Sequence, residues 1–274
     1  MLNKRLFLWG TSVLFVSVLA LFIGIVGYLL WQGIAYFELI LLTQTLFASI
    51  WGTIMLVLLS VGIALPIGVA TGIYMESYAK GAFGRFLDWS FELLASIPSI
   101  IVGLFGFSLL LGLHQLFPQM RSSLLLASFS LSLLILPYIV KATQLGLSQT
   151  PSELLSLGYA LGASKEQVIW RIKLPFAKGQ ILKGIFLSIA RAAEDTAVIM
   201  LTGVVASYGV ADALTSPFEA LPFYIYTTTA NYESDMALHS IYVAIIVLMM
   251  ISSALMYLSS RGGSVMTKGR LWSK

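Results

Sequence analysis

Six stretches of this chain are long and apolar enough to cross a lipid bilayer, and that limits its fold more than any other feature. They run at about 6–30, 48–75, 89–113, 124–147, 181–206 and 237–259. A spanning helix needs about 20 mostly apolar residues, and backbone polar groups in hydrocarbon must be satisfied within the segment, so each stretch is expected to be helical. Only 10% of the 274 residues are charged and 58% are hydrophobic, whereas a soluble domain carries about 25% charged residues. The expected fold is an all-α integral membrane protein with six transmembrane helices in a single domain, 1–274. The third stretch is the least regular, because Pro98 divides SFELLASIP from SIIVGLFGFSLLLGL. It reads as a broken helix, or as an entry loop followed by a helix. The first outlasts the roughly 7–15 residues of a signal-peptide core and has no A-x-A-like site after it, so it reads as an uncleaved anchor.

Basic residues in short connections fix the orientation. Lys4 and Arg5 precede the first stretch, and Lys80 and Arg85 lie between the second and third. Lys141, Lys165, Arg171, Lys173, Lys178 and Lys183 lie in or beside the fourth connection, and Arg261, Lys268, Arg270 and Lys274 follow the last stretch. The other side has Arg121 alone, and its longest loop, 207–236, has Asp212, Glu219, Glu233 and Asp235 without Lys or Arg. Both termini are therefore expected in the cytoplasm. The net charge of +4 is spread over loops rather than gathered in a stripe, which argues against a nucleic-acid partner. With no cysteine and two separated histidines, His114 and His239, no metal site, cofactor site or catalytic group is expected.

Residues 150–175, TPSELLSLGYALGASKEQVIWRIKLP, form an organised cytoplasmic connection. Thr150, Pro151 and Glu153 suggest a capping box with proline at the first helical position. Leu154, Leu157, Gly158 and Leu161 then share one helical face. Gly162 marks a stop, Ser164 with Gln167 a second capping box, and Pro175 the end of that second helix. The expected shape is helix, glycine turn, helix, either docking a cytoplasmic partner or lying on the lipid surface. Within the spans, Gly68 and Gly72 form a GxxxG that permits close helix approach, and Pro66 and Pro137 are expected to bend their helices. Trp31, Tyr36, Trp89, Tyr224 and Tyr226 lie near span ends and read as interface anchors.

The stretch SIARAAEDTAVIML, 188–201, places Arg191, Glu194 and Asp195 within five positions of a largely apolar run. The i,i+3 and i,i+4 spacings let all three share a face and pair. Near a bilayer centre each charge costs at least about 2.5–3.5 kcal/mol, so such residues face a bundle interior or an aqueous path. Either they form a self-neutralised packing cluster, or they line a path in which Arg191 presents donors suited to an oxyanion.

Several of these stretches carry a family resemblance. Gly162, Ile172, Leu174 and Pro175 match the coupling loop (EAA motif) of bacterial ABC importer permeases, Glu-Ala-Ala, three residues, Gly, nine residues, Ile-x-Leu-Pro. Ser156, Leu157 and Gly158 replace the Glu-Ala-Ala. SIPSIIVGLFG (96–106) is similar to the IPSIxxGLFG of phosphate-transporter permeases, ARAAEDTA (190–197) to their A-R-A-x-G-E-T-A, and LPFYIY (221–226) to the LPxxIY of PstA-type subunits. The chain thus resembles the PstA-type permeases of phosphate-specific ABC importers. The resemblance implies a type I, MetI-like permease fold in the inner membrane, importing inorganic phosphate. It implies a PstC-type permease partner, two PstB-type ATPase subunits and a periplasmic phosphate-binding protein, with lipid around the chain. Leu157, Gly158, Gly162, Ala163, Ile172, Leu174 and Pro175 would then belong to the ATPase-coupling loop. Arg191, Asp195 and Glu194 would line the translocation path, Glu194 standing where the family has glycine. ATP hydrolysis would be supplied in trans, since no G-x-x-x-x-G-K-[ST] loop occurs in this sequence. The alternatives are a permease for molybdate, sulfate or a phosphonate, or an ion-driven carrier, which would show paired broken segments.

Overall fold

The computed structural model describes residues 2–38, 41–119, 121–231 and 234–262. Glu233, Lys268, Arg270 and Lys274, used above for orientation, lie outside them. The described residues form eleven α-helices: α1 Leu2–Ala35, α2 Phe47–Ser77, α3 Gly81–Ser96, α4 Ser99–Leu116, α5 Leu124–Ser148, α6 Ser152–Ala160, α7 Lys165–Val168, α8 Leu174–Glu194, α9 Ala197–Thr202, α10 Leu221–Ala230 and α11 Asp235–Gly262. Two π-helical turns, Leu41–Thr45 and Ile169–Lys173, join them. Among the described residues five helical stretches are long and apolar enough to span a membrane: Trp9–Ala35, Phe47–Ser77, Ser99–Leu116, Leu124–Ser148 and Asp235–Ser260.

Two of the expected spans are therefore not single helices. The stretch at 89–113 is cut at Pro98, whose ring pushes Ile97 to φ −65°, ψ 128° and ends α3, while Pro98 itself N-caps α4. The apolar span is α4, and α3 is a separate amphipathic helix. The stretch at 181–206 stops at Glu194, because Asp195 takes an extended backbone (φ −75°, ψ 124°) before α9 begins. Neither piece of it counts as a span alone: α8 carries Lys178, Lys183, Arg191 and Glu194, and α9 is only six residues long.

The centre of the fold is α5. It packs against α2 on one side and α8 on another, around Leu131, Leu134, Ile135 and Ile139. The GxxxG glycines face α5 at its closest approach to α2. A Cβ on Gly68 would stand 2.8 Å from Ile139 Cγ2, and one on Gly72 would stand 2.6 Å from Thr143 Cβ. Gly72→Val is therefore expected to force the helices apart and cost about 1–3 kcal/mol. A thermal unfolding scan in detergent checks this, with a fall of several degrees in Tm as the expected result. Pro66 and Pro137 lie within α2 and α5, which stay helical across them.

Among the described residues the first helix, α1, packs chiefly on α11, with Gly33 beside Ile246, and just past its end the Tyr36 ring stacks on His239 at 3.7 Å. Tyr224 is likewise held, its hydroxyl 2.8 Å from Ser240 Oγ, while Trp31, Trp89 and Tyr226 are exposed. At the N-terminal end of α5 the loop after α9 satisfies the free helix donors: Leu124 N donates to Ser216 O and Leu125 N to Leu214 O. Glu219 in this loop is buried. Its carboxylate accepts from Gly209 N at 2.7 Å and from Ser49 Oγ of α2 at 3.0 Å.

Candidate functional site

Two regions carry the chemistry singled out in the sequence, and they lie at different depths of the bundle. The first is the break between α8 and α9. These helices run antiparallel to α5, with Gly146 of α5 against Ala177 and Gly184 of α8 against Ala142. Seven residues further on, Arg191 reaches the level of about Ile135, near the midpoint of α5. At the far end, Ser123 N donates to Thr202 O, so α9 finishes where α5 starts. The break at Asp195 thus falls inside the thickness of the bundle.

The three charges do not pair, contrary to the helical-face expectation. The helix ends at Glu194, so Asp195 leaves the register that would have placed it one turn above Arg191. Its carboxylate turns inward, 5% exposed, and accepts from Val198 N at 2.9 Å, capping the first turn of α9. Arg191 and Glu194 remain on the exposed face of α8. Among the described residues no ion pair involves either of them. A guanidinium and a carboxylate are left facing outward at mid-bundle depth, with buried alanines (Ala190, Ala192, Ala193) behind them.

Packing joins two of the short motifs. A Cβ on Gly103 would stand 2.9 Å from Ala197 O, and one on Gly106 2.6 Å from Thr202 Cγ2. The glycines of IPSIIVGLFG are therefore the surface on which α9, the helix begun by EDTA, lies against α4. Sequence reasoning quoted both motifs but had no signal that they touch.

The second region is the connection at 149–173. Its glycine turn forms as expected: Gly162 adopts φ +81°, Gly162 N donates to Tyr159 O, and Ala163 N donates to Gly158 O. That is a Schellman cap, which favours glycine at the left-handed position. Ser164 and Gln167 form the reciprocal capping box, with Gln167 N to Ser164 Oγ at 3.3 Å and Ser164 N to Gln167 Oε1 at 2.9 Å. Ser164 and the local backbone also hold the Glu166 carboxyl below its usual range, the backbone hydrogen bond being the larger cause.

Two local expectations fail there. Thr150 does not cap α6: Pro151 occupies the N-cap, and Thr150 Oγ1 is buried without a hydrogen bond. Nor does Pro175 end a helix. The chain is helical from Lys165 to Glu194, because the wide π turn at Ile169–Lys173 takes up the missing donor and the ring of Pro175 at the start of α8.

The loop residues divide by direction. Gly158 is buried, and a Cβ there would stand 2.6 Å from Ile172 Cδ1, so Gly158 and Ile172 pack α6 onto the π turn. Leu154, Leu157 and Leu161 point outward, 41%, 57% and 79% exposed, with Tyr159 and Trp170 also exposed. Ala163 and Leu174 are half-buried and Pro175 is exposed. Near the same end, Lys141 of α5 bonds Asp88 at 3.0 Å and Glu92 at 3.2 Å on α3. Gln144 donates to Asp88 at 2.9 Å and is the main reason its carboxyl lies below the usual range.

The family model described as the binding-protein-dependent transport system inner membrane component matches residues 68–261. The phosphate transport system permease protein PstA 1 of Mycobacterium tuberculosis is 35% identical over 189 residues, 68% of this chain and 60% of that protein. The PstA protein of Haemophilus influenzae is 33% identical over 174 residues, 63% of this chain and 60% of that one. A PstC permease of Xylella fastidiosa is 29% identical over 171 residues, 55% of this chain and 53% of that one. The chain spans less than two thirds of the length of these relatives. In fold it is similar to a chain of the MetNI methionine ABC transporter in an inward facing conformation, with a TM-score of 0.63 and 16% identity over 80% of this chain and 95% of that one. A second MetNI chain gives a TM-score of 0.60. The all-helical fold is thus the MetI-type permease fold, and the chain belongs to the family of binding-protein-dependent transport system inner membrane components.

Proposed function

We propose that this chain is the PstA-type permease subunit of an ATP-driven importer that moves inorganic phosphate across the inner membrane. What carries the reading is its likeness to proteins named PstA in several species, at 31–35% identity. The subunit is not itself catalytic. A PstC-type permease completes the membrane unit, two PstB-type ATPases bind the cytoplasmic loop, and a phosphate-binding protein delivers the anion from outside. The exposed Leu154, Leu157 and Leu161 support the docking role, because a row of leucines on a short cytoplasmic helix needs a cover. Both termini lie in the cytoplasm, on the side of that loop.

Arg191 and Glu194 line the translocation path on this reading, and Asp195 shapes it by holding the bend from which α9 starts. The outward Arg191 offers five donors to phosphate oxygens. Glu194 balances its charge while the path is empty. Proteoliposomes holding the chain with its ATPases, second permease and binding protein test the function. Uptake of labelled phosphate is expected to require ATP and the binding protein, and to resist an excess of sulfate, molybdate or a phosphonate. ATP-independent uptake, or full competition by one of those anions, would overturn it.

A further inference from the structure

Lys173, the last residue of the π turn, reaches back to the cytoplasmic end of α2. Its Nζ donates to both carboxylate oxygens of Glu76, at 2.8 and 2.9 Å, across 97 positions of sequence. Both side chains are only 14% exposed. Ser77 Oγ adds a hydrogen bond to Glu76 at 2.7 Å. Lys165 at the start of α7 stands 3.9 Å above the ring of Tyr78, two residues beyond Glu76. Two lysines of the loop therefore grip two successive points at the end of α2. From there α2 runs onto α5 through the glycine contacts at Gly68 and Gly72.

A pair this enclosed is screened little by salt, yet desolvation offsets much of its attraction, so its main value is register rather than stability. Among the described residues the main packing partners of α6 and α7 are each other and the π turn, and Leu154 and Leu157 of α6 are exposed. We infer that the Lys173–Glu76 pair is the latch that makes α2 follow the loop, so that movement of a docked ATPase reaches the membrane helices through it. Lys173 and Glu76 are positioning residues on this account, and the inference rests on the ATPase-docking reading above. The Lys165–Tyr78 contact guides the same joint but lies at the surface, where such contacts are weaker.

The test uses the reconstituted complex with Glu76→Gln, Lys173→Met and the exchanged pair Glu76→Lys/Lys173→Glu. A working wild-type complex establishes the docking reading independently, since that reading fails if the ATPases do not co-purify with it. In the single variants the ATPases are expected to stay bound and ATP turnover to persist, while phosphate imported per ATP falls about five-fold or more, the size of a typical coupling term. The exchanged pair is expected to restore most of the ratio. A purely structural role would lower assembly, hydrolysis and uptake in proportion, leaving the ratio at its wild-type value. That outcome overturns the latch, as does an exchanged pair that recovers nothing. If a single variant fails to assemble, the shorter Glu76→Asp takes its place: a depressed ratio in the assembled complex supports the latch and a wild-type ratio overturns it.

Discussion

Arg191→Ala is expected to reduce phosphate uptake by about ten- to a hundred-fold, the worth of charge-assisted hydrogen bonds to an anion, while the complex still assembles. The reason lies in where the side chain is. Helix α8 brings Arg191 to mid-bundle depth, and among the described residues no acid pairs with it. A guanidinium in that position costs at least about 2.5–3.5 kcal/mol in hydrocarbon, so it needs water, a partner subunit or a passing anion beside it. Its neighbours on the inner face are buried alanines, so removing the side chain opens no cavity in this chain and the fold should persist. Lysine at this position keeps the charge but loses the bidentate fork, and Arg191→Lys is expected to fall between wild type and alanine. Labelled-phosphate uptake, normalised to assembled complex, is the measurement. Unchanged uptake in a stably assembled Arg191→Ala complex would remove Arg191 from the path. Asp195 offers a contrast, because its carboxylate is occupied by Val198 N. Its loss should loosen α9 and lower thermal stability as well as transport.

Leu157→Asp carries the second large effect, on the ATPase rather than on the anion. Leu157 is 57% exposed at the middle of α6 and touches no core cluster. Burying such a side chain in a partner's groove contributes about 1.5–3 kcal/mol, and a carboxylate there adds a desolvation cost. ATPase binding is therefore expected to weaken by at least about ten-fold, with the chain's own Tm unchanged. Gly162→Val reaches the same end by another route. At φ +81° a β-branched residue is strained by at least about 1–3 kcal/mol, which breaks the Schellman turn and misaligns α6 against α7. Co-purification of the ATPase with tagged permease distinguishes them from wild type. Normal recovery in both variants would count against docking through α6.

The loop was largely readable from sequence because its signals are short-range. The Ser164–Gln167 box and the Gly162 turn each depend on residues within five positions, and both form as expected. Thr150 shows the limit of such signals: with Pro151 next to it, the chain could start the helix one residue later, and it does. Pro175 departs from the local expectation for a related reason. Proline usually bounds a helix, but a π turn ahead of it removes the clash, and no local residue pattern announces a π turn.

The bundle's polar contacts were not readable. Lys173 and Glu76, or Lys141 and Asp88, are far apart in the chain, and only packing of the π turn on α2 and of α3 on α5 brings them together. The same holds for the motif glycines Gly103 and Gly106, whose meaning depends on α9 lying across them.

By itself the sequence determined the membrane environment, the helical class, the glycine turn and capping box of the 150–175 connection and the presence of charge at 191–195. Hydrophobic length, capping and composition act over a turn or two, so they survive without knowledge of the fold. The tertiary structure alone decided that this charge is divided. Asp195 turns inward because α9, held by α4 and by Ser123, presents a free amide there. Arg191 and Glu194 face outward because α5 fills the other side.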